Sequence, residues 1–101
     1  MDKRVEKLYR IISSNKKEVI FFGLSYCEYS KKTIELLEQN KITYKYYLID
    51  NHYNIFFKVL DELIKLYPNM KIRHHYRTVP VIFIKKKFIG GYTDLKNILN
   101  N

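Results

Sequence analysis

The chain has 101 residues, 47% of them hydrophobic, with only three glycines and two prolines. This make-up fits one compact domain spanning residues 1–101 and excludes a disordered or low-complexity chain. Nineteen basic against ten acidic residues give a net charge of +9, but no helix-turn-helix, zinc-finger or RNP-type pattern turns that charge into a nucleic-acid site, so a solvated basic face is expected. One cysteine excludes an internal disulfide, the charged start (Asp2, Lys3, Arg4, Glu6, Lys7) is no signal peptide, and no segment reaches the roughly 18 apolar residues of a membrane span. A reducing, cytoplasmic setting with no membrane or nucleic-acid partner follows as the expectation.

Taken in order, Asp2 is placed to cap a first helix whose apolar positions Val5, Leu8, Ile11 and Ile12 recur at helical spacing, with Ser13, Ser14 and Asn15 ending it. The apolar run Val19 to Phe22, broken at Gly23 and Ser25, is expected to be a buried strand within residues 18–24. A helical pattern follows over 28–39, with Ser30, Ile34 and Leu37 on one face and Asn40 at its C-terminal end. Residues 42–49 predict a second strand. Asp50 or Asn51 then opens a helix with Ile55, Val59, Leu60, Leu63 and Ile64 as its core face.

Residues 66–78 are a polar, basic connection containing Arg73, His74, His75 and Arg77. Residues 79–84 are strand-like, the three lysines 85–87 form a turn, and Phe88-Ile89 start a returning strand. Gly90-Gly91 break the chain before a last helix capped by Thr93 and carrying Leu95, Ile98 and Leu99. The order is α-β-α-β-α-β-β-α. The first two strands are joined through a helix and should be parallel; the last two, joined by a tight turn, should be antiparallel. One mixed four-stranded sheet with helices on both faces satisfies this pattern.

The only cysteine, Cys27, stands where the first strand hands over to a helix. Unpaired backbone N–H groups and the positive end of the helix dipole favour a thiolate there, the reactive form of the side chain. The alternative role for a lone cysteine is that of a small buried hydrophobe. Two further segments carry chemistry. In Thr78-Val79-Pro80 the proline opens a strand, and Gly90-Gly91-Tyr92-Thr93-Asp94 places a glycine pair at a helix N-terminus, a ready carboxylate site. Cys27 with His74 and His75 suggests a metal site or a Cys–His pair, but neighbouring histidines diverge as ligands and solvent-facing loop residues are the simpler reading.

Together and in this order, Cys27-Glu28-Tyr29-Ser30, Thr78-Val79-Pro80 and Gly90-Gly91-Tyr92-Thr93-Asp94 resemble the glutaredoxin family of the thioredoxin fold, over about residues 18–99. That family carries Cys-Pro-Tyr-Cys or Cys-x-x-Ser, Thr-Val-Pro with a cis proline, and Gly-Gly-x-x-Asp. The resemblance implies an α/β thioredoxin-like fold with Cys27 catalytic, Ser30 and Tyr26 in support, and glutathione as co-substrate. It further implies that Val79 and Pro80 present backbone to the cysteinyl part of glutathione. Gly91, Thr93 and Asp94 would hold the γ-glutamyl end, and Arg77 and Tyr26 would flank the tripeptide. Ser30 stands in the place of a resolving cysteine, so a monothiol mechanism acting on glutathionylated proteins is implied. Glu28 replaces the usual proline and opposes the thiolate. Leu24 replaces a common glutathione-binding lysine, leaving Lys31, Arg73 or Arg77 to supply that contact. The alternatives within the resemblance are a [2Fe–2S] carrier, with Cys27 of each protomer of a dimer as ligand, and a non-catalytic binding module. A monomer is expected unless a cluster or Cys27 links two chains.

Overall fold

A computed structural model describes residues 2–14 and 16–100. Four helices, α1 (Lys3–Ser14), α2 (Glu28–Gln39), α3 (Tyr53–Leu66) and α4 (Tyr92–Leu99), surround one sheet of β1 (Val19–Gly23), β2 (Tyr44–Leu48), β3 (Val81–Ile84) and β4 (Lys87–Gly90). The strand order is β2-β1-β3-β4. β1 runs parallel to β2 and antiparallel to β3, and β4 returns antiparallel to β3. Element order and strand directions are those expected of the sequence; a single 3-10 turn, Pro68–Met70, is added after α3. No helix among the described residues is long and apolar enough to cross a membrane.

β1 is buried along its whole length because it is central and covered on both sides. Its side chains alternate between two cores. Ile20 and Phe22 join Phe83 and Phe88 under α1 and α3, with Leu8, Ile12, Leu60 and Leu63. Val19 and Phe21 join Ile82 under α2 and α4, with Leu37 and Leu95. This sheet holds the ends of its strands, and with them the N-termini of α2 and α4, in fixed places.

Helix ends follow local chemistry. The Asp2 carboxylate accepts the Arg4 N–H at 2.8 Å, so Asp2 caps α1 as its type predicts; Asn15 lies outside the described residues. α2 closes with Asn40 as C-cap, Lys41 left-handed at φ 55°, and bonds from Lys41 N–H to Glu38 and from Ile42 N–H to Leu37. That pair of bonds is a Schellman closure, with lysine where glycine is the relaxed choice. Lys85 and Lys86, both at positive φ, form the two-residue hairpin turn.

Five local expectations differ from what is seen. Neither Asp50 nor Asn51 caps α3; the cap position is His52, without a side-chain bond, because Asp50 is drawn away to Ser25. The buried face of α3 is Phe56, Phe57, Val59, Leu60 and Leu63, while Ile55 is exposed. In α2 it is Thr33 that is buried beside Ser30 and Leu37, its hydroxyl donating to the Tyr29 carbonyl at 2.7 Å. Gly91, and not Thr93, is the N-cap of α4. The polar, basic connection expected between α3 and β3 also inserts Met70 and Ile72 into the core.

Candidate thiol site and adjoining groove

Cys27 is the N-cap residue of α2, in extended conformation at φ −87° and ψ 122°, and half-buried. The loop that presents it is tightly tied. Its own N–H donates to the Leu24 carbonyl at 3.1 Å. Two residues earlier, the Ser25 N–H donates to Asp50 Oδ1 at 2.8 Å and the Ser25 hydroxyl donates to Asp50 Oδ2. Tyr46 on β2 donates its hydroxyl to the Leu24 carbonyl at 3.2 Å and stacks on Phe21 at 4.4 Å. The turn before the cysteine is therefore fastened to β2 through Tyr46 and to the loop that follows β2 through Asp50. No side chain caps the first N–H groups of α2, so they face the region of the thiol.

The hydrogen bonds from Ser25 hold the Asp50 carboxyl below its usual range, the hydroxyl more than the N–H. A carboxyl lowered by folding stabilises the folded state when ionised, that is above its unfolded value near about 4. This contribution fades as pH falls through the lower folded value. A carbon-detected NMR titration should place the Asp50 midpoint below those of the free exposed carboxylates. Ser25→Ala should return it to the ordinary range; an unshifted Asp50 in the wild type would contradict the tie.

Ser30, one turn into α2, is buried, and its hydroxyl completes no hydrogen bond of regular geometry. It rests against Gly23, where a Cβ would overlap its oxygen, and beside Tyr46. Burial raises the Tyr46 phenol; the neighbouring Ser30 hydroxyl counters this in part, and negative charge on Asp50 and Cys27 adds to it. Tyr46 thus stays protonated, as its donation to Leu24 requires.

Against the first turn of α2, at Tyr29 two residues beyond Cys27, lies an open groove of about 420 Å³; Cys27 itself is not among the residues lining it. The cis Val79–Pro80 bond with Thr78 forms one wall, and Gly91, Tyr92, Thr93 and Asp94 form the other. Tyr29 of α2 and Tyr92 of α4 meet at 6.0 Å on the rim. Gly90 takes φ 126°, and a Cβ there would overlap the Asp94 carboxylate and the Arg73 guanidinium. Its lack of a side chain lets Asp94 reach back to the Gly91 N–H at 2.9 Å and accept Arg73 Nη2 at 3.1 Å. Arg73 also lies over the Tyr76 and Phe88 rings and donates to the Ile89 carbonyl. An ion pair this exposed contributes about 0–1 kcal/mol to stability; its effect is to fix the position of Asp94.

The fold thus brings Val79, Pro80, Gly91, Thr93 and Asp94 into one groove, next to the helix that Cys27 opens. Tyr26 projects into solvent at 74% exposure. Arg77 is not among the residues lining the groove. Its guanidinium is gripped by both oxygens of Asp61 on α3 at 3.1 and 2.6 Å and covers the Phe57 ring. Leu24 is buried in the core and offers the groove nothing. His74 and His75 are exposed, and no group of three metal-ligating side chains occurs among the described residues. Sequence patterning passed over Tyr76 and Tyr92 as groove residues: one is an isolated aromatic in a loop, the other sits inside the glycine motif.

Comparison with known proteins gives a consistent picture. A family model described as glutaredoxin matches residues 19–89. A curated relative from Acanthamoeba polyphaga mimivirus, described as a probable glutaredoxin, is 28% identical over 92 residues, covering 90% of this chain and 86% of its own. Among solved structures, glutaredoxin 1 from Francisella tularensis, complexed with cacodylate, superposes with a TM-score of 0.67 at 28% identity, covering 82% of this chain and 96% of that one. A buckwheat glutaredoxin–glutathione complex superposes with a TM-score of 0.67 at 21% identity, covering 97% and 80%.

Proposed function

This chain belongs to the glutaredoxin family, a family of glutathione-related thiol oxidoreductases, and we propose that it reduces protein–glutathione mixed disulfides with Cys27 as its single working thiol. The observation that carries this reading is the placement of one half-exposed cysteine at the uncapped start of α2, next to a groove walled by the Val79–Pro80 backbone and the Asp94-capped start of α4.

In the first step the Cys27 thiolate attacks the glutathione sulfur of the mixed disulfide. A bond forms between Cys27 Sγ and that sulfur, the original S–S bond breaks, and the protein thiolate leaves and takes a proton from water. In the second step a free glutathione thiolate attacks the glutathione sulfur held on Cys27. Oxidised glutathione leaves and Cys27 returns as thiolate. In sum one free glutathione is consumed, the glutathione of the substrate leaves with it as oxidised glutathione, the protein sulfur is reduced to the thiol, and no second cysteine is needed. Ser30 is therefore compatible with turnover.

Glutathione carries two carboxylates and one ammonium. The ammonium suits Asp94, and a carboxylate suits the α4 N-terminus around Thr93. Val79 and Pro80 present backbone beside the cysteinyl segment, Gly91 keeps the wall low, and Tyr26 and Tyr29 border the entrance. A second carboxylate needs a cation. Arg73 faces the groove directly, whereas Arg77 must leave Asp61 to reach it. The chain is taken as a single domain, monomeric, in a reducing cytoplasm. A [2Fe–2S] cluster held by one such chain alone does not fit, because Cys27 is its only thiol and no set of three ligands is grouped among the described residues.

The test is a coupled assay with a small glutathione mixed disulfide, glutathione, glutathione reductase and NADPH. Wild-type protein should turn over. Arg73→Ala should raise the KM for glutathione about three- to tenfold, as expected for loss of one partly exposed charge contact, while Arg77→Ala should change it by less. Equal effects would place Arg77 in the site as well. Absence of wild-type turnover would remove the oxidoreductase reading.

A further inference from the structure

On the face of the sheet covered by α1 and α3, an open groove of about 510 Å³ runs along the β2 edge. Its floor is Leu8, Phe22, Phe56 and Val59, and its lips are Leu48 and Ile55, exposed at 56% and 43%. Exposed large apolar side chains scattered singly need no explanation, but two flanking a continuous apolar floor mark a docking surface. Two cationic side chains, Arg4 and Lys7, line it with the polar His52 and Tyr47, and no carboxylate does. Arg4 is shared with Asp2; Lys7 and His52 form no ion pair with any described residue.

This groove is attached to the thiol loop. The Ile49 N–H donates to the Gly23 carbonyl at 2.9 Å, and Asp50 holds Ser25. The end of the groove formed by Leu48, Ile49 and His52 therefore abuts the turn that presents Tyr26 and Cys27. An apolar trough flanked by the cationic Arg4 and Lys7 matches an amphipathic helix with an apolar stripe and acidic flanks. A second copy of this chain matches poorly, since each carries a net charge of +9 and presents the same cations, Arg4 and Lys7, beside the groove.

We infer that this groove is an exosite that docks an acidic amphipathic helix of the protein substrates, beside the disulfide offered to Cys27. The inference rests on the disulfide-exchange reading of Cys27, and its test separates the two. The first probe is a cysteine-free helical peptide with leucines at i, i+4 and i+7 and glutamates on its flanks. A control peptide keeps the leucines and replaces each glutamate by lysine. The second probe is the acidic peptide extended by one glutathionylated cysteine.

Amide shifts on adding the acidic peptide should map to residues 4–11 and 47–59. Leu48→Asp and Ile55→Asp, both at exposed positions outside the thiol site, should each weaken binding about tenfold or more. Lys7→Glu should weaken it severalfold, and the lysine control should bind more weakly than the acidic peptide. Both aspartate variants should keep the wild-type rate on a small glutathione mixed disulfide and lose kcat/KM on the glutathionylated acidic peptide. The inference is overturned if the acidic peptide does not bind, if its shifts map elsewhere, or if the lysine control binds equally. It is also overturned if Leu48→Asp converts a dimer to a monomer, or if anionic phospholipid vesicles occupy the groove in place of the peptide. Loss of all disulfide turnover in the wild type would sink the exchange reading alone, because the cysteine-free peptide still decides whether the groove docks an acidic helix.

Discussion

Cys27→Ser is expected to abolish glutathione-dependent turnover, a fall of at least about a thousandfold to the uncatalysed background, because every step of the exchange forms or breaks a bond at Cys27 Sγ. A serine hydroxyl is not ionised near neutral pH and does not exchange with a disulfide. The substitution is nearly isosteric at a half-exposed position and leaves the Cys27 backbone bonds to Leu24 and Lys31 in place, so folding should survive. Ser30→Ala is the informative partner. Ser30 would be the resolving position in a two-thiol mechanism, and its hydroxyl points to Gly23 and Tyr46 with no bond completed. Removing an unsatisfied buried hydroxyl should leave stability unchanged or slightly raised and turnover within about threefold. A loss of activity in Ser30→Ala comparable to that in Cys27→Ser would mean that Ser30 takes part in the chemistry.

Gly90→Ala is expected to be the most damaging single methyl group in the chain. The backbone at φ 126° is strained for any residue with a Cβ, at about 1–3 kcal/mol. The new atom also overlaps the Asp94 carboxylate and the Arg73 guanidinium. Arg73 is long and can swing away. Asp94 is short and must release the Gly91 N–H, the helix cap of α4, worth about 1 kcal/mol. The sum, about 2–4 kcal/mol, corresponds to a fall in Tm of roughly 10–25 °C for a domain of this size. Asp94→Ala loses the cap and the ion pair without the strain, so its Tm should fall less while its KM for glutathione rises as much or more. Thermal unfolding of both variants separates the two causes. A Gly90→Ala protein as stable as the wild type would show that the close approach of Asp94 and Arg73 to this backbone is dispensable.

How much was legible beforehand depended on whether local chemistry or tertiary contact decided the outcome. The bounds of α2 could be read directly, since Cys27 ends a buried run and Asn40 stops a clean helical period. The parallel and antiparallel strand pairs followed from connection length. In α3 the spacing finds the buried Val59, Leu60 and Leu63 but puts Ile55 where Phe56 and Phe57 are buried, because Ile55, Phe56 and Phe57 are consecutive and periodicity alone does not say which faces the sheet. Packing against Phe22 chose Phe56. Asp50 is a good helix cap by type, yet Ser25, 25 residues away, holds it. Thr93 is a sensible cap by type, but Asp94 reaching back to Gly91 sets the start of α4 two residues earlier.

The candidate site divides in the same way. Cys27, the Val79–Pro80 pair and the glycine motif carry local signatures, and the fold places the two groove walls beside the helix that Cys27 opens. The two arginines carry none. Arg73 and Arg77 lie four apart in a segment without period, and the acidic partner of each lies on a distant helix, Asp94 for one and Asp61 for the other. The apolar groove at the β2 edge was invisible because its lips, Leu48 and Ile55, come from residues that patterning assigned to a strand end and a buried helix face.

The central claim is that glutathione is carried on Cys27 between two exchanges. The most direct measurement is intact-protein and peptide mass spectrometry after mixing wild-type protein with one equivalent of a glutathionylated protein substrate and quenching in acid. The account predicts one glutathione on the peptide containing Cys27, formed as the substrate loses its own, and removed when a second portion of free glutathione is added. Absence of that adduct, or a stable disulfide between Cys27 and the substrate protein that free glutathione does not release, would contradict it.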